Sequence, residues 1–400
     1  MSKWVQDLFG DLIIEQPKSK IKVDNAYIGE QYPFFTSGEK ILSYMNPIVG
    51  GNNLYFATGG KANVKYYDGP CSYSTDTWAV TSKKVDNKFL YYWCLSHLEK
   101  MDFLYFSGSG LKHLQKKDFK RDIVYYPEQL NEQAKIAEVL STLDDVIEKT
   151  KAIIEKYHKI KAGLLCRLLT NGIDENGEIR SPETHRYKQS PLGFIPERWD
   201  CKSLQDICKQ MIRGPFGGSL KKEEFVDEGY KVYEQGNAIY KTSEKGTYFI
   251  TCKRYVEMNR FAVQENDFIL SCSGTIGEIY QIQKNDPAGI INQALLLFRV
   301  NNNVMTDAFF KNYFATEEFR KTIIDSTQGG AMKNIVGMPL LRKIFMRCPD
   351  ISEQKRITKF LDGIEISINK ETVFLQKLQY QKYALMQDLL THKVSVDALL

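Results

Sequence analysis

From Ile136 onward, apolar residues recur at spacings of four and three: Ile136, Leu140, Leu143, Ile147, Ile154, Tyr157, Leu164 and Leu168. The same rhythm returns at Ile357, Leu361, Ile364, Ile368, Leu375, Leu378, Leu385 and Leu389. Alternating steps of four and three keep one stripe on one side of a helix, and a sustained stripe of this kind is a coiled-coil seam. At 1.5 Å per residue, forty residues make a rod of about 60 Å. Two such rods in one chain most simply pack on each other. The seam is interrupted at matching places, by Thr150 and Glu371 and by Lys161 and Lys382. Polar residues inside a seam fix register or face a partner.

The rhythm repeats because the sequence does. Pro127-Glu-Gln-Leu-Asn-Glu-Gln-Ala-Lys-Ile-Ala-Glu-Val-Leu140 is answered by Pro349-Asp-Ile-Ser-Glu-Gln-Lys-Arg-Ile-Thr-Lys-Phe-Leu361. The match continues without a gap to Leu168-Leu169-Thr170 and Leu389-Leu390-Thr391. Asn131 and Ser352 are N-cap candidates, with Glu132-Gln133 and Glu353-Gln354 in the first turns, where the helix dipole favours a carboxylate. Thr170-Asn171-Gly172 is a stop signal. A repeat of this length is a duplicated unit and not a solenoid. The chain therefore divides into a first domain at 1–126, a first helix at 127–172 and a linker at 173–198. A second domain follows at 199–348 and a second helix at 349–395.

The stretches before the helices are rich in Gly, Tyr and Phe and in short β-type runs. They match faintly. Tyr32–Gly38 parallels Tyr230–Gly236, Leu54–Gly60 parallels Phe268–Gly274, and Ser107–Lys112 parallels Gln328–Lys333. A shared skeleton under different side chains suits two readers of two targets.

Net charge is +5 over 400 residues. Residues 1–126 hold 16 Lys and Arg against 13 Asp and Glu, and residues 190–348 hold 21 against 18. The excess sits in the two domains and allows a polyanionic partner, although a generic solvated surface would look the same. No apolar run reaches the ~20 residues of a membrane span, and no export signal opens the chain, so a cytoplasmic protein is expected. The eight cysteines are scattered and the five histidines lack metal spacing. This fits a reducing compartment without a metal site.

Catalytic signatures are missing. There is no G-x-x-x-x-G-K-[ST] phosphate loop, and Gly214-Pro-Phe-Gly-Gly-Ser219 lacks the lysine and the spacing. Pro349-Asp350 with Glu353-Gln354-Lys355 imitates a nuclease P-D…E-x-K. The first copy has Ala134 in place of Lys355, and the run opens a helix. Binding, not catalysis, is the reading.

Taken together, the duplicated Glu-Gln helix starts, the Leu-Leu-Thr ends and the linker resemble one family, the specificity subunit of type I restriction–modification systems. The linker carries Gly172-Ile-Asp-Glu-Asn-Gly-Glu and Ser190-Pro-Leu-Gly-Phe-Ile-Pro-Glu-Arg-Trp199. Gly214–Ser219 and Asp267-Phe-Ile-Leu-Ser-Cys-Ser-Gly-Thr-Ile-Gly277 belong to the same likeness. The resemblance spans essentially the whole chain. The first domain departs from it, with Gln16-Pro-Lys-Ser-Lys20 standing roughly where Gly-Pro-Phe-Gly would be.

The resemblance implies an α+β fold: two α/β target-recognition domains joined by two long helices packed as an antiparallel coiled coil, a pseudo-two-fold internal repeat. It implies a non-catalytic subunit that reads a bipartite, asymmetric target in double-stranded DNA. It would dock two modification (methyltransferase) subunits and further restriction (translocase and endonuclease) subunits. No cofactor is expected here, since S-adenosylmethionine, ATP and Mg would belong to those partners. A stand-alone DNA-binding regulator and a coiled-coil protein scaffold remain as alternatives.

Candidate DNA contacts combine chemistry with matched positions. In the first domain they are Gly59, Gly60, Lys61, Gly108, Lys112 and His113. In the second they are Gly214, Gly217, Ser219, Lys221, Lys222, Asn237, Ser273, Gly274, Thr275, Asn292, Gln293, Gly329, Gly330, Lys333 and Asn334. Lysines beside glycines suit phosphate, and Asn and Gln suit adenine edges. Each of these residues taken singly also suits a turn, a core position or an ordinary surface. Glu132, Gln133, Leu140, Leu143, Ile147, Leu164, Glu353, Gln354, Leu361, Ile364, Ile368 and Leu385 are candidates for helix packing or partner docking.

Overall fold

A long amphipathic helix needs a partner for its apolar stripe, because helices in water draw most of their stability from packing. The computed structural model describes residues 3–27, 29, 31–216, 218–324 and 337–396, and it contains two such helices, Leu130–Asn171 and Ile351–Leu390. The chain divides into two compact units, and the division cuts through both helices. Unit 1 holds residues 1–153 and 371–400, and unit 2 holds residues 154–370. Each unit therefore contains one domain, the stretch of one helix nearest that domain, and a stretch of the other helix.

Inside each unit the two helix stretches run antiparallel. In unit 1, Lys382 Nζ lies 2.5 Å from Asp144 Oδ1. Deeper in the same core, Ile136 and Leu140 join Met386, Leu389 and Leu390, so ascending one helix descends the other. In unit 2, Lys161 pairs with Glu365, while Leu165, Leu168 and Leu169 share a core with Ile357 and Leu361. Asp144 and Glu365 are repeat mates, as are Lys161 and Lys382. The lysine interruption of the seam is thus one ion pair made twice, once per unit. Leu140, Ile147, Leu361 and Ile368 are buried, while Leu143, Leu164, Ile364 and Leu385 are half-buried. Thr150 is buried, its hydroxyl donating to the Val146 carbonyl at 2.8 Å.

The Glu-Gln pairs serve the chain's own interior. All four residues are buried, so they are helix-anchoring residues and not docking residues. Gln133 Nε2 donates to the Pro127 carbonyl at 2.7 Å, and its Oε1 accepts from Asp86 N at 2.7 Å. Asp86 caps the helix Asn87–Ser96. Gln354 repeats this arrangement, donating to Pro349 O at 2.8 Å and accepting from Thr306 N at 2.7 Å, where Thr306 caps Asp307–Phe314. One buried amide thus joins the start of a long helix to the start of a domain helix. The helices also begin earlier than expected: Asp350 Oδ1, not Ser352, accepts from Glu353 N at 2.9 Å, and Asn131 lies inside the first helix.

Glu353 is the hub of the linker. It is 1% exposed and forms a bidentate pair with Arg180, itself 7% exposed. It also accepts from Trp199 Nε1 and Ile173 N, both at 3.1 Å. Gly172 has φ +68, and a Cβ there would sit 2.1 Å from Glu353 Oε1. Only glycine fits both the left-handed conformation and the space.

The two domains share a topology. In the first, a four-stranded sheet runs in the order Ile13–Glu15, Thr77–Ser82, Asn52–Ala57, Val64–Asp68. In the second, the order is Cys208–Arg213, Leu295–Val300, Phe268–Ser271, Ile279–Gln281. Each domain also has a second sheet, three-stranded in the first and four-stranded in the second, with one parallel pair, Tyr32–Phe35 with Ser72–Tyr73 and Tyr230–Tyr233 with Gly289–Ile291. A two-stranded ribbon leads into each long helix, Trp4–Leu8 with Ile123–Pro127 and Asp200–Ser203 with Phe345–Cys348. The cores are aromatic, around Phe9, Phe56, Trp78, Trp93 and Phe119 in unit 1 and Phe268, Phe298, Phe310 and Phe314 in unit 2. Among the described residues no helix is long and apolar enough to cross a membrane.

Replacing Glu353 with Ala leaves the Arg180 guanidinium buried without its counter-charge. The expected loss is about 3–5 kcal/mol of stability, read by chemical denaturation. Replacing Glu353 and Arg180 together with Met should recover a large part of it.

Candidate nucleic-acid interface

Because neighbouring strands in each four-stranded sheet are antiparallel, one end of the sheet gathers three connections. In the first domain these follow Glu15, precede Thr77 and join Ala57 to Val64. The chain after Glu15 is Gln16-Pro-Lys-Ser-Lys20, and the hairpin is Thr58–Asn63. In the second domain the same end carries Gly214–Ser219, Asn292–Ala294 and the hairpin Cys272–Glu278. The departure noted in the sequence is therefore a substitution in place: Gln16–Lys20 occupies the topological position of Gly214–Ser219.

The first-domain end is cross-linked by hydrogen bonds. Gly60 N donates to Lys112 O at 2.9 Å, Leu114 N donates to Thr58 O at 3.1 Å, and Gly59 bridges to His113. His113 Nδ1 lies 3.3 Å from the Thr58 carbonyl oxygen. Thr58 Oγ1 donates to Asp76 O at 2.7 Å, Thr58 N donates to Ser37 Oγ at 3.2 Å, and Thr75 N donates to Ile21 O at 2.9 Å. Gly59, Gly60, Lys61, Gly108, Lys112 and His113 thus converge on one edge. Gly108 is required by geometry, with φ +152 and a Cβ that would meet Leu111 O at 2.6 Å. Lys61 and Lys112 are exposed and form no ion pair among the described residues. Lys65 instead turns inward, donating to Thr36 O at 3.0 Å and Gly38 O at 2.5 Å, and burial lowers its pKa. The Lys120 ammonium beside Glu15 holds that carboxyl below its ordinary range, which takes Lys120 out of the free charge.

In the second domain the outcome is mixed. Gly214, Ser219, Ser273, Gly274, Thr275, Asn292 and Gln293 lie on the equivalent edge. Gly274 has φ +65 where the first domain has Gly60 at +85, so both hairpins turn on the same conformation. Gly214 lets two backbones meet, since a Cβ there would lie 1.8 Å from Asn292 O. The Asn292 side chain accepts from Ala294 N at 3.0 Å in a local turn, whereas Gln293 is exposed. Lys221 and Lys222 are exposed just beyond the loop, without an ion pair among the described residues. Asn237 is a correction. It is fully buried, accepts from Glu234 N at 2.8 Å and donates to Thr242 O and Lys245 O at 3.0 and 2.7 Å. Every polar atom of its amide is committed to this turn, so it cannot read a base. Gly217, Gly329, Gly330, Lys333 and Asn334 lie outside the described residues.

Lys18 and Lys20 also lie at the first-domain end without a glycine pattern in the sequence to mark them, and Phe216 lies in the glycine-rich loop of the second domain. No group of three or more His, Cys, Asp or Glu suited to a metal occurs among the described residues.

A model of the type I restriction modification DNA specificity domain matches residues 1–157 and again 196–378. The chain belongs to this family. The two matches cover the two domains and run part-way into the helices that follow them. The type I restriction enzyme MjaVIII specificity subunit of Methanocaldococcus jannaschii is 25% identical over 417 residues, spanning 99% of this chain and 94% of the relative. The crystal structure of the S subunit from M. genitalium aligns with a TM-score of 0.60 at 16% identity, over 97% of this chain and 96% of that one. A chain from a study of complex assembly and conformational transition in the type I restriction–modification system aligns equally well, at 0.60 with 13% identity and 97% of each chain. These likenesses establish the fold, and the family match assigns DNA specificity.

Asn237→Ala should lower stability by about 1–3 kcal/mol, through the loss of three side-chain hydrogen bonds that leaves the turn unsatisfied. The DNA sequence recognised by the folded fraction should stay unchanged. Thermal unfolding and methylation mapping of the assembled complex read the two effects.

Proposed function

We propose that this specificity subunit reads a bipartite, asymmetric DNA target, one half with each domain's sheet end. It is non-catalytic and works in the cytoplasm. The observation that carries the reading is the pairing of two sheet ends with one topology and different side chains. Gln16–Lys20 faces Gly214–Ser219 in the comparison, Thr58–Asn63 faces Cys272–Glu278, and Thr75-Asp76 faces Asn292-Gln293. Equal backbones offering unequal donors and acceptors would select unequal base sequences. Lys18, Lys20, Lys61 and Lys112 supply the phosphate-directed charge in the first domain, and Lys221 and Lys222 in the second.

The helices would serve as the dock for modification subunits. Tyr380 and Tyr383 in unit 1 and Phe360 and Ile366 in unit 2 expose large apolar area on the second helix. In this reading S-adenosylmethionine belongs to the modification subunits, and ATP and Mg to restriction subunits. A stand-alone regulator would bind its site without partners, and a protein scaffold would bind no DNA.

Two outcomes test the proposal. Replacing residues 1–126 with the first domain of another family member should change one half of the methylated sequence and leave the other intact. A change in both halves would contradict separate readers. Lys112→Glu should weaken binding to all sequences and reduce the slope of log affinity against log salt by about one. Titration of the assembled complex at several salt concentrations measures it.

A further inference from the structure

Among the described residues the most exposed large apolar side chain is Phe216, at 92%, and it stands on the sheet end of the second domain proposed above to meet DNA. Single exposed apolar residues are common on protein surfaces. This one differs in how it is held. Pro215 behind it is buried. Gly214 N donates to Leu295 O at 2.9 Å, and Gly214 packs so closely on the Asn292 carbonyl that no Cβ fits. On the far side, Ser219 N donates to Phe216 O at 2.8 Å and closes a turn, and Arg254 Nη2 donates to Ser219 O at 2.5 Å. Arg254 is itself anchored by Glu257 at 2.9 Å and Glu224 at 3.5 Å. The backbone before the ring is thus anchored, Ser219 is tied down beyond it, and the ring itself is left exposed.

The surroundings suit a polyanion with stacked apolar bases. Arg213 precedes the loop, Lys221 and Lys222 follow it, and exposed Thr275 and Gln293 lie on the neighbouring connections of the same sheet end. The same topological position in the first domain carries Lys18 and Lys20, which are charged and not aromatic.

We infer that Phe216 is a wedge that enters between two adjacent base pairs in the half-site read by the second domain. This rests on the proposed DNA reading and adds a mode of recognition to it. A phenyl ring that replaces one base-stacking contact partly unstacks the step. Steps that unstack easily, pyrimidine followed by purine, would then be preferred at that position without a hydrogen bond to either base.

The test uses the full subunit assembled with its modification subunits, on a duplex whose sequence comes from mapping the methylated adenines. 2-Aminopurine, which brightens when unstacked, is placed at successive steps of the second half-site. Wild-type complex should brighten the probe at one step. Phe216→Ala should abolish that signal and weaken binding roughly ten- to a hundredfold, the range of one lost base–aromatic stack, with an unchanged salt slope. Phe216→Trp should keep both the signal and the affinity. Wild-type affinity and probe signal in the alanine variant would overturn the wedge and leave the DNA reading intact. Loss of subunit assembly in that variant, seen by gel filtration, would place the ring against protein and also overturn it. Failure of the wild-type complex to bind any duplex would instead bring down the underlying reading.

Discussion

One buried glutamine amide in each repeat decides how a helix of about forty residues meets its domain. Gln133 and Gln354 each spend their NH₂ group on the proline carbonyl before the long helix and their oxygen on the cap residue of a domain helix. A buried amide left without partners is unfavourable by several kcal/mol, so the junction tolerates only one geometry. That geometry sets the direction in which the helix leaves the domain. The seam then buries against the other helix, held in register by Asp144–Lys382 in one unit and Lys161–Glu365 in the other.

The glutamates beside these glutamines show how a duplicated residue acquires a local task. Glu353 takes four donors from Ile173, Arg180 and Trp199, and so fastens the linker to the start of the second helix. Trp4, at the repeat-equivalent place to Trp199, stacks instead on His392 with ring centroids 4.9 Å apart. The linker and the tail of the chain thus approach matching places in their own units, one after each long helix.

The sheet ends follow a different logic. Backbone conformation is kept, as Gly60 and Gly274 show with their matched positive φ, and side chains are changed. Under the proposed DNA reading, this separation would let target specificity diverge without disturbing the helices. It also locates chemistry where the sequence is least regular, in connections held by main-chain hydrogen bonds to neighbouring loops.

The repeat, the helices, their seam and the matched polar interruptions were legible in the sequence, because a helix writes its buried face as a local period of 3.5 to 3.6 residues. Gly60, Gly108 and Gly274 were legible too, since a positive φ restricts the residue type. The sequence did not separate Asn237 from Gln293. Both are polar, both sit near glycines, and only the tertiary structure shows one amide closed inside a turn and the other in solvent. Nor could it separate Gln133 and Glu353 from surface residues of a helix start, because their partners lie 47 and 173 residues away in the chain. The sequence placed Gln16–Lys20 only roughly opposite Gly214–Ser219, with a proline second in each, and strand order made the equivalence definite. Local periodicity determines elements, whereas burial and convergence are long-range properties, and these the packing of the folded chain alone decided.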